Sequence, residues 1–276
     1  MTLILEADTA LRQALEALAA EARLVFFAGL PGTGKNLLIH QLAHVAHARG
    51  RRIHLLQWDV ARPVFEASAA GTRYPLEHGV THGVIRLAVG RWARDAVARW
   101  HAAHPGVSDL LIGETPFIGR RLVELARPEQ DAAEPALAGA WTRFVIPVPS
   151  RALREHVEAE RARRARDPVH PREREDAPPS VLRDLWRELA GADIAYDPML
   201  YRRAYERLLV HRHAVVLPLE SRLPTAGVSA YEFRVATTDL LPSPEEIAAA
   251  IHDIETRYPD PRALQREIDG WRQVSP

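Results

Sequence analysis

The stretch GLPGTGKNLL, residues 29–38, carries the clearest chemistry in the chain. Gly29, Gly32 and Gly34 allow a backbone to fold closely around a ligand with its N–H groups turned inward. Lys35 follows as a compact cation on a flexible stem. Together with Pro31, Thr33, Asn36 and Leu37 these residues fit the phosphate-loop pattern G-x-x-x-x-G-K-[ST] at every position but the last. Asn36 stands where a Ser or Thr hydroxyl would ligate Mg²⁺. Its side-chain oxygen is also a neutral acceptor, and amide carbonyls do ligate hard cations. Asn36 is therefore read as a metal ligand, directly or through water. The other reading is a loop that binds phosphate without metal support.

Composition sharpens this signal. The chain has 35 Arg but one Lys, Lys35, and one Asn, Asn36. Under so strong a bias toward Arg, the only Lys sits at the one position where a rigid guanidinium fork is a poor substitute for an ammonium.

A second group follows at QWDVARPVF. Asp59 and Arg62 lie three apart, so on a helical turn they share a face. Such a carboxylate can accept a hydroxyl proton, and such an arginine can bind an anion with two parallel bonds. An ordinary ion pair is the plainer reading. A second acid, Glu114, stands next to last in the run DLLIGET, where it is read either as a helix-capping or ion-paired acid or as a metal ligand.

These residues need a scaffold that brings them together. Apolar runs at 24–29, 52–59, 109–115, 142–150 and 214–221 read as buried strands. Helical spacing is read at 8–22, 35–49, 83–103 and 118–127. This alternation predicts an α/β fold with a doubly wound parallel sheet, whose ligands bind beyond the carboxyl ends of the strands. Gly29, Asp59, Glu114 and Ser150 each follow a strand or end one, so they are expected at one edge. The segment from Ser150 to about residue 180 interleaves Arg with Glu and Asp before a Pro-rich break. It reads as a solvated ion-paired helix or as a mobile arginine-bearing lid. Ser243, Pro244 and Glu246 form a capping box that opens a C-terminal helix.

Zero net charge gives no argument for a general nucleic-acid or membrane binder. No cysteine is present, which removes disulfides and thiolate chemistry. No apolar run reaches the length of a membrane span, and the first residues lack a secretory pattern. A cytoplasmic protein is expected. His40, His44 and His47 share a helix face but lack the acid of a zinc motif, and they read as ordinary surface residues. The Gly-rich stretch LEHGVTHG, residues 76–83, suits substrate contact.

GLPGTGKN, then WDVAR, then PSRALREHVEAERARR resemble the layout of the P-loop kinase group, which includes nucleoside and nucleotide kinases, polynucleotide kinases, adenylylsulfate kinases and zeta-toxin-like sugar kinases. The resemblance covers roughly residues 24–220 as an order of elements, and its first motif is the specific one. It implies one P-loop NTPase domain over residues 1–276, with a lid insertion at about 151–180 and a helical C-terminal extension at about 243–276. It implies ATP and Mg²⁺ as cofactors, with Lys35 on the nucleotide phosphates, Asp59 as base and Arg62 as substrate clamp. Arg154, Arg161 and Arg164 would close over the transferring phosphate, and Glu114 and Asn36 would hold the metal. The chain departs from the group's pattern at Asn36, and at Glu114, where a Walker-B strand ends in Asp. The expected function is an ATP-dependent phosphotransferase acting on a small-molecule or nucleotide-like acceptor. The alternative is an ATP-binding regulator with slow or no turnover. A remodelling ATPase fits less well, because no strand ends in Asp-Glu. The sequence names neither the acceptor nor an oligomeric state.

Overall fold

The computed structural model describes residues 3–5, 9–174, 177–223, 229 and 235–273. Residue 8 of the expected first helix, residues 175–176 of the expected lid and residues 274–276 of the C-terminal extension lie outside these.

In chain order the elements are α1 (Ala10–Glu21), β1 (Leu24–Ala28), α2 (Lys35–Ala48), β2 (Arg52–Gln57), α3 (Trp58–Ala67), α4 (Ala69–Arg73), α5 (Gly83–Ala103), β3 (Asp109–Thr115), α6 (Glu134–Leu137), β4 (Thr142–Pro149), α7 (Arg151–Arg166), α8 (Pro179–Ala190), α9 (Pro198–Leu208), β5 (Ala214–Leu219), β6 (Thr238–Asp239), α10 (Pro244–Arg257) and α11 (Pro261–Asp269). The strands form one six-stranded sheet in the order β5-β4-β1-β3-β2-β6, and every pairing is parallel. This is the expected α/β arrangement with one strand more. The sixth strand is a two-residue edge that pairs His54 and Leu55 of β2 with Thr238 and Asp239.

Alternation along β1 builds two cores. Leu24, Phe26 and Ala28 face a layer that includes α3, α5, α9 and α10. Val25 and Phe27 face α1 and α2 on the other side. All five side chains are fully buried, which explains why the strand reads as a continuous apolar run rather than an alternating one. Phe26 stacks on Phe144 of β4 at 4.9 Å and ties the two central strands.

The register places the candidate residues. Phe27 of β1 and Gln57 of β2 both pair with Glu114 of β3. The loop after β1, the start of α3 and the end of β3 therefore meet at one edge of the sheet.

One expected helix is absent. Residues 118–127 hold two 3₁₀ turns, Ile118–Arg120 and Val123–Leu125, in place of a helix. Phe117, Gly119, Arg120 and Leu122 all adopt positive φ, between 60° and 67°. Phe117 and Arg121 exchange backbone hydrogen bonds of 2.9 and 3.2 Å that cinch the loop. The apolar spacing that mimics a helix here comes from Ile118, Leu122, Val123 and Leu125, each buried by a tight loop instead. The capping box at Ser243 and Glu246 is formed in full. Among the described residues no helix is long and apolar enough to cross a membrane.

Candidate functional site

The loop from Gly29 to Gly34 leaves β1 and enters α2 through two left-handed glycines, Gly32 at φ 78° and Gly34 at φ 84°. A side chain at either would be strained. Gly29 is needed for a different reason: a β-carbon there would collide with the Tyr201 hydroxyl of α9.

The polar groups of this loop are used unevenly. Two of its carbonyls are taken by side chains. Leu30 O accepts from Lys35 Nζ at 2.8 Å and from Thr33 Oγ1 at 2.9 Å, and Pro31 O accepts from Arg154 at 2.8 Å. Its amides are left over. The N–H groups of Gly32, Thr33 and Gly34 donate to no other described residue. The first turn of α2 adds further unpaired amides and the positive end of the helix dipole. A loop that leaves these donors free suits an anion.

Lys35 is 4% exposed and Glu114 is 6% exposed. The Lys35 ammonium lies 3.2 Å from the Glu114 carboxylate, so the chain's one lysine is folded back across its own loop onto the end of β3. Burial is the largest influence on both groups. It pulls the Lys35 ammonium below its ordinary pKa and pushes the Glu114 carboxyl above its own, and their mutual attraction opposes both shifts. Asp59 and Arg161 are within electrostatic reach of both members of the pair.

Asp59 is exposed in the first turn of α3, as the spacing predicts. Arg62 shares that helix but pairs with Glu66 at 2.6 Å rather than with Asp59. Glu66 also accepts from Thr81 at 2.7 Å, which ties α3 to the Gly-rich stretch 76–83. Asn36 is half-buried in the first turn of α2, and Leu37 follows it there.

The three arginines of the 151–180 segment have different surroundings. Arg154 is 1% exposed. Besides Pro31 O it bonds Glu158 at 3.1 Å, and its guanidinium lies over the Tyr196 ring at 5.7 Å. It clamps the loop from outside. Arg161 donates to Ala177 O at 2.9 Å while staying in reach of Lys35 and Glu114. Arg164 is held by Glu160 and Glu173.

No family model, no curated protein and no solved structure matches this chain.

Tyr201, Arg86 and Arg121 also border this edge, and the sequence gives no sign of them. The Tyr201 hydroxyl is buried above the loop and makes no hydrogen bond of good geometry, although Thr33 and the Leu30 backbone are its polar neighbours.

His40, His44 and His47 lie on α2. The described residues that come together as possible metal ligands are His54, His104 and Asp109. They sit at the opposite edge of the sheet, near the start of β3. Arg52 already forks onto Asp109 at 2.8 and 2.6 Å, and His54 bonds it at 3.0 Å. These bonds hold the Asp109 carboxyl well below the usual carboxylate range.

Proposed function

We propose that this chain binds ATP at the loop 29–36 and transfers its γ-phosphoryl group to a hydroxyl-bearing acceptor at the edge near Asp59. The observation that carries this reading is the loop's own inventory. Three loop amides are unspent, the loop's Leu30 and Pro31 carbonyls are spent, and the only lysine of the chain stands among them.

The donor set fits a triphosphate. Unpaired amides and a helix N-terminus suit phosphate oxygens, and Lys35 supplies a point charge on a stem able to turn from Glu114 to a phosphate. Asn36 and Glu114 supply oxygen donors that suit Mg²⁺, whose presence would neutralise charge on the β- and γ-phosphates.

In this reading Asp59 takes the acceptor's proton as the acceptor oxygen bonds to the γ-phosphorus. The bond from that phosphorus to the β–γ bridging oxygen breaks, and ADP leaves. Lys35 and Arg161 offset the charge that develops. The protein's contribution is placement and charge, which is most of what phosphoryl transfer requires.

The Lys35–Glu114 pair favours a second reading. A lysine already satisfied by a buried carboxylate must give up that partner to meet a nucleotide, which suits a regulator that responds to ATP without rapid turnover. Titration calorimetry of ATP with and without Mg²⁺, followed by a phosphoryl-transfer screen, separates the two. Binding with transfer supports the enzyme, and binding with no transfer to any acceptor class supports the regulator. A folded protein with no ATP binding rejects both.

A further inference from the structure

The loop after β3 presents two guanidinium groups to a single point. A β-carbon at Gly119 would stand 3.2 Å from Arg121 Nη1 and 3.7 Å from Arg86 Nη1. Arg121 donates to Ile118 O at 3.1 Å and Arg86 to Gly119 O at 2.8 Å. These bonds fix both side chains to the strained loop. Neither arginine has a carboxylate at ion-pair distance among the described residues, whereas most other buried or half-buried arginines of this chain do. Arg86 Nε is buried with no hydrogen-bond partner at all.

The charges in reach are mixed. Arg121 faces Glu188, Asp59 and Arg62. Arg86 faces Arg121, Glu188, Glu77 and Asp269. Two partly desolvated cations held side by side repel each other, and a carboxylate at ion-pair distance would relieve this. Backbone held at positive φ in four of six consecutive residues is kept there by its surroundings, and such strain gathers at ligand clamps.

We infer that Arg86 and Arg121 form an anion site for a phosphate group carried by the acceptor, adjoining Asp59. This deepens the phosphotransferase reading and rests on it for the word acceptor. It assigns the substrate class as a phosphorylated compound with a free hydroxyl. Arg121 is within electrostatic reach of Asp59, so one end of such a compound would be held while the other offers its hydroxyl. Glu188, from α8, is the carboxylate within electrostatic reach of both arginines.

Inorganic phosphate is the probe, measured by titration calorimetry. The variant K35M/E114Q removes the buried pair together and takes the only ammonium from the glycine-rich loop. Phosphate should still bind it. Adding Arg121→Met or Arg86→Met should weaken that binding at least about tenfold, and Arg121→Lys should fall between, since a charge remains but the fork is lost. Glu188→Gln, at an exposed position, should tighten binding about threefold by removing a repulsion. Loss of phosphate binding in K35M/E114Q overturns the proposal, and so does phosphate binding there that neither Arg121→Met nor Arg86→Met weakens, because the glycine-rich loop is then the only phosphate site. Unchanged affinity in both Arg121→Lys and Glu188→Gln overturns it as well. Failure of the nucleotide reading is seen separately, as absence of ATP binding by the unaltered chain.

Discussion

The Lys35 ammonium and the Glu114 carboxylate stand 3.2 Å apart with almost no exposure to water. A buried pair of this kind is costly to break from one side, because the remaining charge is left without a partner. Lys35→Ala should therefore lose nucleotide binding and also lower stability by about 3–5 kcal/mol. K35M/E114Q should recover most of that stability while binding no ATP. Denaturant melts and ATP titrations of the two variants check this. Equal stability of Lys35→Ala and the unaltered chain would show that the pair carries no weight in the fold.

Asp59→Asn should leave ATP affinity nearly unchanged and abolish transfer to the acceptor. Asp59 is exposed and shares no ion pair with Arg62, so its loss removes no structural contact. A base acts in the transition state and adds little to ground-state binding of the nucleotide. Undiminished turnover on an accepted substrate would remove Asp59 from the chemistry.

Arg154→Ala should loosen the glycine-rich loop. It leaves Pro31 O without its donor and Glu158 without its partner. A charge-assisted bond of this sort contributes about 1.5–3 kcal/mol, so both stability and ATP affinity should fall. Hydrogen exchange at residues 30–36 with and without a non-hydrolysable ATP analogue reads the effect locally. Unchanged exchange in the variant would mean that the clamp does not hold the loop.

Asn36→Ser should be tolerated and should sharpen the response of ATP binding to Mg²⁺, while Asn36→Ala should weaken it. Serine offers a hydroxyl to the metal, asparagine an amide oxygen, and alanine nothing. Titrating Mg²⁺ at fixed ATP separates them. Three superimposable curves would take Asn36 out of the metal site and favour the regulator.

Acid should release α7 from its ion pairs. Arg163 and Arg164 draw the Glu160 carboxyl from 4.5 down to about 2. A carboxyl lowered on folding contributes stability that is fully present above 4.5 and fades as the pH falls toward 2. Glu160 is about one-third exposed, so screening keeps its contribution below about 1 kcal/mol. Glu160→Gln should be less stable than the unaltered chain at pH 6 and equal to it at pH 2. A constant gap between the two denaturation series across that range would contradict this sign.

Five strands, the glycine-rich loop and the meeting of Asp59, Glu114 and Lys35 at one edge could be read from local pattern. Buried parallel strands announce themselves as apolar runs, and topology then fixes which ends converge. The loop 117–122 could not be read this way. Its buried residues fall at helical spacing, and nothing local reports that Phe117, Arg120 and Leu122 hold positive φ. Helix α9 was missed for a related reason: the burial of Tyr201 and Tyr205 follows from what packs on them, not from their own stretch of chain. The burial of Arg154 was equally hidden, because its partner Pro31 lies 123 positions earlier.

That distance matters during synthesis. The glycine-rich loop leaves the ribosome well before Arg154 can reach Pro31 O or Tyr201 can cover Gly29. A nascent chain that ends near residue 150 already has the loop, its lysine and Glu114. It has nothing outside the loop to brace Pro31, and nothing over Gly29 to shut the backbone from solvent. Domains tend to fold as units as they are made. Here the glycine-rich loop is made before the residues that secure it, so an ATP supply that meets a half-made chain would meet the loop before its clamp.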